Sequence, residues 1–177
     1  MSCLCRMITC LDVYYEDDSA RAAGVLVREW TDAVPVEERV VAVAPVAAYQ
    51  PGEFFRRELP CLLAILKALP PVDVIVVDGY VWLDALGKPG LGAYLYRALN
   101  EQAAVVGVAK TKFHSAEGAH EVLRGESARS SLCHGCRIRC GGGRTAGRLD
   151  GWSVSHSGTS PARRLAVPPW LCGVTKS

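Results

Sequence analysis

The chain has 177 residues, half of them hydrophobic and 21% charged, enough for one buried core and a short appendage. No apolar run reaches the ~18–20 residues that span a bilayer, which excludes an integral membrane protein with helical spans. Met1–Tyr15 lacks the apolar stretch of a secretory signal, so a cytoplasmic protein with reduced cysteines is expected. The net charge of +2 hides an asymmetry. Residues 1–129 carry 13 Lys and Arg against 17 Asp and Glu, a net of −4, whereas residues 130–177 carry 7 against 1, a net of +6.

Three β-branched runs open the chain. Met7–Tyr14, Ala22–Trp30 and Val36–Ala44 read as the strands of an antiparallel meander, the first with a lone Asp12 inside it. Ala48–Gly52 is a loop punctuated by Pro and Gly. From Glu53 the period changes: Phe54, Phe55, Glu58, Leu59, Leu62, Leu63, Leu66 and Leu69 recur at three and four, an amphipathic helix that stops at Pro70-Pro71. Val72–Asp78 is the strongest strand, apolar enough to be covered on both faces. Gly79–Gly90 is a loop, Leu91–Asn100 a second helix, Ala103–Ala109 another buried strand closed by Lys110, and Ala116–Leu123 a short helix. The order β-β-β-α-β-α-β calls for an α/β fold with a mixed sheet.

From Ser130 to Ser177 no period of 2 or 3.6 persists. That segment, rich in Gly, Ser and Arg, is assigned no secondary structure and is expected to be disordered.

Three carboxylates sit where a fold usually avoids them. Asp12 interrupts an apolar strand, Glu58 lies on the apolar side of the first helix, and Asp78 ends the most buried strand. A buried ionised carboxylate costs several kcal/mol unless compensated. If the three converge, a hard divalent cation is the natural remedy, and such a site can organise a water for phosphodiester hydrolysis. Lys110 could set a positive charge against the phosphate. The plainer alternative is structural: an edge or turn Asp, with Arg56, Arg57 or Lys110 neutralising the acids in salt bridges. Arg56, Arg57, Lys88, Lys110, Lys112 and Arg124 are candidates for a basic groove that follows a nucleic-acid backbone.

The segments CLDVYY, AYQPGEFFRRELP, DVIVVDGY, KPGLGAYLY and VVGVAK follow one another as they do in the endonuclease V family, and from Met7 to Arg129 the sequence resembles it. The resemblance implies a ribonuclease H-like α/β fold with flanking helices. It implies a magnesium-dependent nuclease, with manganese as a substitute, acting on DNA or RNA that contains inosine and cutting a phosphodiester bond on the 3′ side of that base. Asp12, Glu58 and Asp78 would then be catalytic metal-binding carboxylates and Lys110 the phosphate-facing lysine. Tyr49, Gln50 and Pro51 would form a wedge that fills the gap left by the extruded base. Gly52 and Gly79 would let the backbone close around that base. A monomer without a membrane partner is expected.

The sequence also departs from that pattern. The wedge reads Ala48-Tyr49-Gln50-Pro51, more polar at its tip than in most members, and no histidine follows Asp78-Gly79. After Arg129 the family's C-terminal part is missing or replaced. One coding of Leu132–Cys136 gives Tyr-Val-Thr-Ala when read one nucleotide later, which resembles the family's next strand, so a shift of reading frame near Ser130 is inferred. A domain over residues 1–129 with a non-family tail over 130–177 follows, as does a second functional reading: an inactive nucleic-acid-binding homologue. Met7 is an alternative start. Cys133, His134, Cys136 and Cys140 form only a partial zinc pattern, with Gly141-Gly142-Gly143 in place of a second half-site, and zinc on the tail ranks last.

Overall fold

In the computed structural model, residues 7–84 and 86–109 are described in full, and residues 120–124, 130–135 and 163–165 through their backbone. Three antiparallel strands come first: β1 (Ile8–Glu16), β2 (Ser19–Val27) and β3 (Glu37–Val43). Helix α1 (Phe54–Ala68) carries the chain to β4 (Val74–Asp78), and α2 (Leu91–Ala98) carries it on to β5 (Ala104–Ala109). The later strands are β6 (His120–Arg124), β7 (Ser130–Gly135) and β8 (Arg163–Leu165). All eight belong to one sheet in the order β3-β2-β1-β4-β5-β7-β6-β8. β4 lies parallel to both β1 and β5, so the sheet is mixed, as the element order predicts.

Two expectations are corrected. His120–Leu123 lies within strand β6 rather than in a helix, and residues 116–119 fall outside the described residues. Ser130–Gly135, assigned no secondary structure above, is strand β7, antiparallel to both β5 and β6, and Arg163–Leu165 adds a short strand parallel to β6. Backbone pairing does not require an alternating side-chain pattern in the strand that is added.

The core follows from strand alternation. Leu11 and Val13 of β1, Ala20 and Ala22 of β2, and Ile75 and Val77 of β4 meet Cys61, Leu62 and Ile65 of α1 and Leu95 of α2 on one face of the sheet. Ile8, Val74, Val76, Ala104 and Val106 form a second cluster on the other face, joined by the partly buried Cys10 and Trp30. Helix α1 ends where the sequence says it must: Leu69, the residue before Pro70, is driven to an extended ψ of 155°. Rings join the two helices, with Phe55 stacked on Tyr94 at 3.8 Å between centroids. No helix among the described residues is long and apolar enough to cross a membrane.

Candidate functional site

The parallel register of β1 and β4 sets the centre of the site. Ile8, Thr9, Cys10 and Leu11 are level with Val74, Ile75, Val76 and Val77, so the next pair in that register is Asp12 and Asp78. Two residues 66 positions apart in sequence thus stand side by side where β4 ends. They share a face, because Asp12 falls between Leu11 and Val13 and points away from α1, while Asp78 alternates with Val76 and Val74 of the second cluster. Asp78 is exposed and Asp12 partly buried, so water reaches the pair. Neighbouring strands run about 4.8 Å apart, a spacing at which two carboxylates repel and attract a cation.

Backbone geometry fixes the end of β4. Gly79 has φ +124, a conformation side chains rarely adopt, and its N–H donates to the Val108 carbonyl at 2.8 Å. Gly107 lies beneath this turn, so close that a Cβ there would fall 2.3 Å from the Gly79 carbonyl oxygen. The loop that follows is more ordered than its sequence suggests. Trp82 bridges to Pro89, the Leu83 N–H donates to the Lys88 carbonyl, and the Asp84 carboxylate accepts the Lys88 N–H at 2.8 Å. The Arg97 guanidinium sits 5.6 Å from the Trp82 ring centroid, so this tryptophan packs in the fold, as does Trp30 against the second cluster.

Glu58 stands elsewhere. It is 3% exposed, on the side of α1 that packs with Cys61, Leu62 and Ile65, and its charge acts on Tyr15. Burial, then the Glu58 charge and the neighbouring Cys61, push the Tyr15 hydroxyl above its ordinary range. Tyr15 alternates with Leu11 and Val13 and so faces α1, opposite to Asp12. The structure therefore brings together two of the three carboxylates. Among the described residues no three His, Cys, Asp or Glu side chains gather closely enough to hold a metal ion. The donor set of the pair alone still suits a hard cation, since magnesium takes one or two carboxylates and completes its shell with phosphate oxygens and water.

The remaining sequence-predicted residues divide clearly. Tyr49 is 60% exposed, and Gln50, Pro51 and Gly52 are exposed beside it, Gly52 with φ +81. A Cβ at Gly52 or Gly79 would meet nothing within 4 Å, so open space adjoins both. Lys110, Lys112, Cys136, Cys140 and Cys172 lie outside the described residues, as do the side chains of Arg124, Cys133 and His134. Of the other groove candidates, Lys88 is exposed, Arg56 pairs with Glu53 at 3.1 Å, and Arg57 stacks over Tyr15 at 4.0 Å. Arg57 is thus a structural cation. The signal that could have marked it is its position next to Glu58 on the buried side of the helix.

A mixed α/β sheet with an acidic pair where its central parallel strands end defines a class of folds. Solved structures of the same architecture include endonuclease V from Streptomyces avermitilis, 25% identical with a TM-score of 0.54 over 72% of this chain and 64% of that one. Another is endonuclease V from Ciona intestinalis in complex with a DNA containing an inosine followed by a ribo-adenosine, with a TM-score of 0.57 over 72% and 70%. That likeness, at 16% identity, concerns the fold. In sequence, endonuclease V of Streptomyces coelicolor is 34% identical over 128 residues, covering 68% of this chain and 52% of that protein. Endonuclease V of Thermococcus kodakarensis is 40% identical over 76 residues, covering 42% and 37%. The chain thus spans about half or less of the length of these relatives. The family model described as endonuclease V matches residues 2–144, beyond both ends of the resemblance drawn from the sequence. The chain belongs to the endonuclease V family.

Proposed function

We propose that this chain is an endonuclease that cuts a phosphodiester bond on the 3′ side of inosine in DNA or RNA. The observation that carries the reading is the level placement of Asp12 and Asp78 on β1 and β4. Family membership and the neighbour bound to inosine-containing DNA support the choice of substrate. Asp12 and Asp78 would hold a magnesium ion, with manganese as a substitute. When bound, the ion supplies charge for the transferring phosphate and an acidified water. Asp12 and Asp78 orient that centre toward the edge where β4 ends, while Tyr49, Gln50 and Pro51 occupy the stack vacated by the target base. Lys110, next after β5, would set its charge against the phosphate. Glu58, buried on the α1 side, is left out of this pair and sets its charge against Tyr15 and Cys61.

The experiment is cleavage of end-labelled oligonucleotides carrying inosine or adenine at one position, in DNA and in RNA, with magnesium, manganese or chelator. The reading predicts metal-dependent nicking 3′ to inosine and little at adenine, lost in Asp78→Asn. Cutting that ignores inosine, or equal cutting by Asp78→Asn, contradicts it. Binding without cutting in any arm indicates the inactive homologue instead. We also infer a shift of reading frame near Ser130, and the nucleotide sequence over codons 125–135 together with the intact protein's mass tests it.

A further inference from the structure

The exposed loop with Tyr49 at its tip is tied at both ends to one turn. On its leading side the Val46 N–H donates to the Asp18 carbonyl at 3.0 Å. On its trailing side an Arg57 Nη2 donates to the Asp17 carbonyl at 3.4 Å, and the same guanidinium lies 4.0 Å above the Tyr15 ring. Asp17 and Asp18 are the two residues between β1 and β2. The Arg57 Nε is shut off from solvent, so the root of this half-buried guanidinium is packed into the fold while its Nη2 reaches the Asp17 turn. Between the anchors, the Glu53 N–H bonds the Gln50 carbonyl at 3.1 Å and the Arg56 N–H bonds the Glu53 carbonyl at 2.9 Å at the entry to α1. A loop that must enter a base stack loses less entropy on binding when it is already held.

We propose that Arg57 and Tyr15 are positioning residues that, with the Asp17–Asp18 turn, clamp the Tyr49–Pro51 tip in the orientation needed to enter a nucleic-acid strand. The role in recognition rests on the nuclease reading above; the clamp itself does not.

Two readouts on the full chain separate these parts. Hydrogen exchange over residues 46–53, read by mass spectrometry without nucleic acid, reports the clamp. Arg57→Lys keeps the charge but loses the flat stacking face, and Tyr15→Leu removes the ring. Each raises exchange in that segment about two- to fivefold, the value of one partly exposed cation–π contact, while β4 exchange stays as in wild type. Tyr15→Phe keeps the ring and matches wild type. In the second readout, Arg57→Lys and Tyr15→Leu raise KM for the inosine strand and erode its preference over adenine, with kcat within about twofold; Tyr15→Phe restores both. Unchanged exchange in Arg57→Lys and Tyr15→Leu overturns the clamp. Raised exchange with undiminished preference overturns its role in recognition. The predicted exchange pattern in a protein that never distinguishes inosine supports the clamp and counts against the nuclease reading.

Discussion

Gly107→Ala is the smallest change that reaches both fold and site. Gly107 lies in β5 opposite Val77, and an added methyl would stand 2.3 Å from the Gly79 carbonyl oxygen and 3.1 Å from the Val81 nitrogen. Both obstacles are backbone, so no side chain can swing aside. Relief requires the end of β4 to move off β5, stretching the 2.8 Å bond from Gly79 N–H to the Val108 carbonyl and carrying Asp78 with it. Overpacking costs about 1–3 kcal/mol and a weakened buried hydrogen bond about 1, so a loss near 3 kcal/mol follows. For a chain of this size that lowers Tm by about 6–12 °C. Urea unfolding with an unchanged m-value gives the energy directly. Because Asp78 moves relative to Asp12, cleavage should also fall by about tenfold or more in the protein that remains folded. A loss under ~0.5 kcal/mol with full activity would refute the close approach of β5 to this turn and the dependence of Asp78 on it.

Two further outcomes are expected. Ile65→Ala, at a fully buried position of α1, should cost about 2–5 kcal/mol in the same unfolding assay, whereas Val40→Ala, 62% exposed on the edge strand, should stay within ~0.5 kcal/mol; equal losses would contradict the assignment of the core. Burial pushes the Cys10 and Cys61 thiols up, Glu58 adding to the effect at Cys61, and burial and Glu58 likewise raise Tyr15. The native state therefore keeps protons that the unfolded chain releases. Stability is full below the unfolded thiol and phenol values and falls as pH climbs through about 8.5 and then 10. Unfolding at pH values across that range, beside the Tyr15→Phe variant with its shallower decline, checks the sign; a rise in stability would reverse it.

Much of the fold was legible because period and burial coincide. The alternation of Leu11, Val13 and Tyr15, the three-and-four spacing from Phe54 to Leu66, and the unbroken apolar run of β4 each name their element from local residues. Asp12 and Asp78 were recognisable as misplaced acids, but their meeting depends on a register between strands 66 residues apart, which no local pattern encodes. Glu58 was correctly read as lying on the apolar side of its helix. Its distance from the pair depends on how α1 docks, chiefly over β2 and β3. Arg57 was read as a groove cation or as a salt-bridge partner of the acids, because its partners in the fold, Tyr15 and the Asp17 carbonyl, come from another part of the chain. His120–Leu123 has only Val122 and Leu123 as apolar residues, too few to separate strand from helix. β7 is held by backbone pairing to β5 and β6, a force blind to the Ser-, Cys- and His-containing sequence that supplies it.

The pairing of Asp12 with Asp78 is tested most directly by a double-mutant cycle on single-turnover cleavage of an inosine strand. If the two carboxylates act as one centre, Asp12→Asn and Asp78→Asn each lower the rate by about 100-fold or more, and the double variant is no slower than either alone. Losses that multiply, or a single variant that cuts at the wild-type rate, would mean that the two side chains stand together without working together.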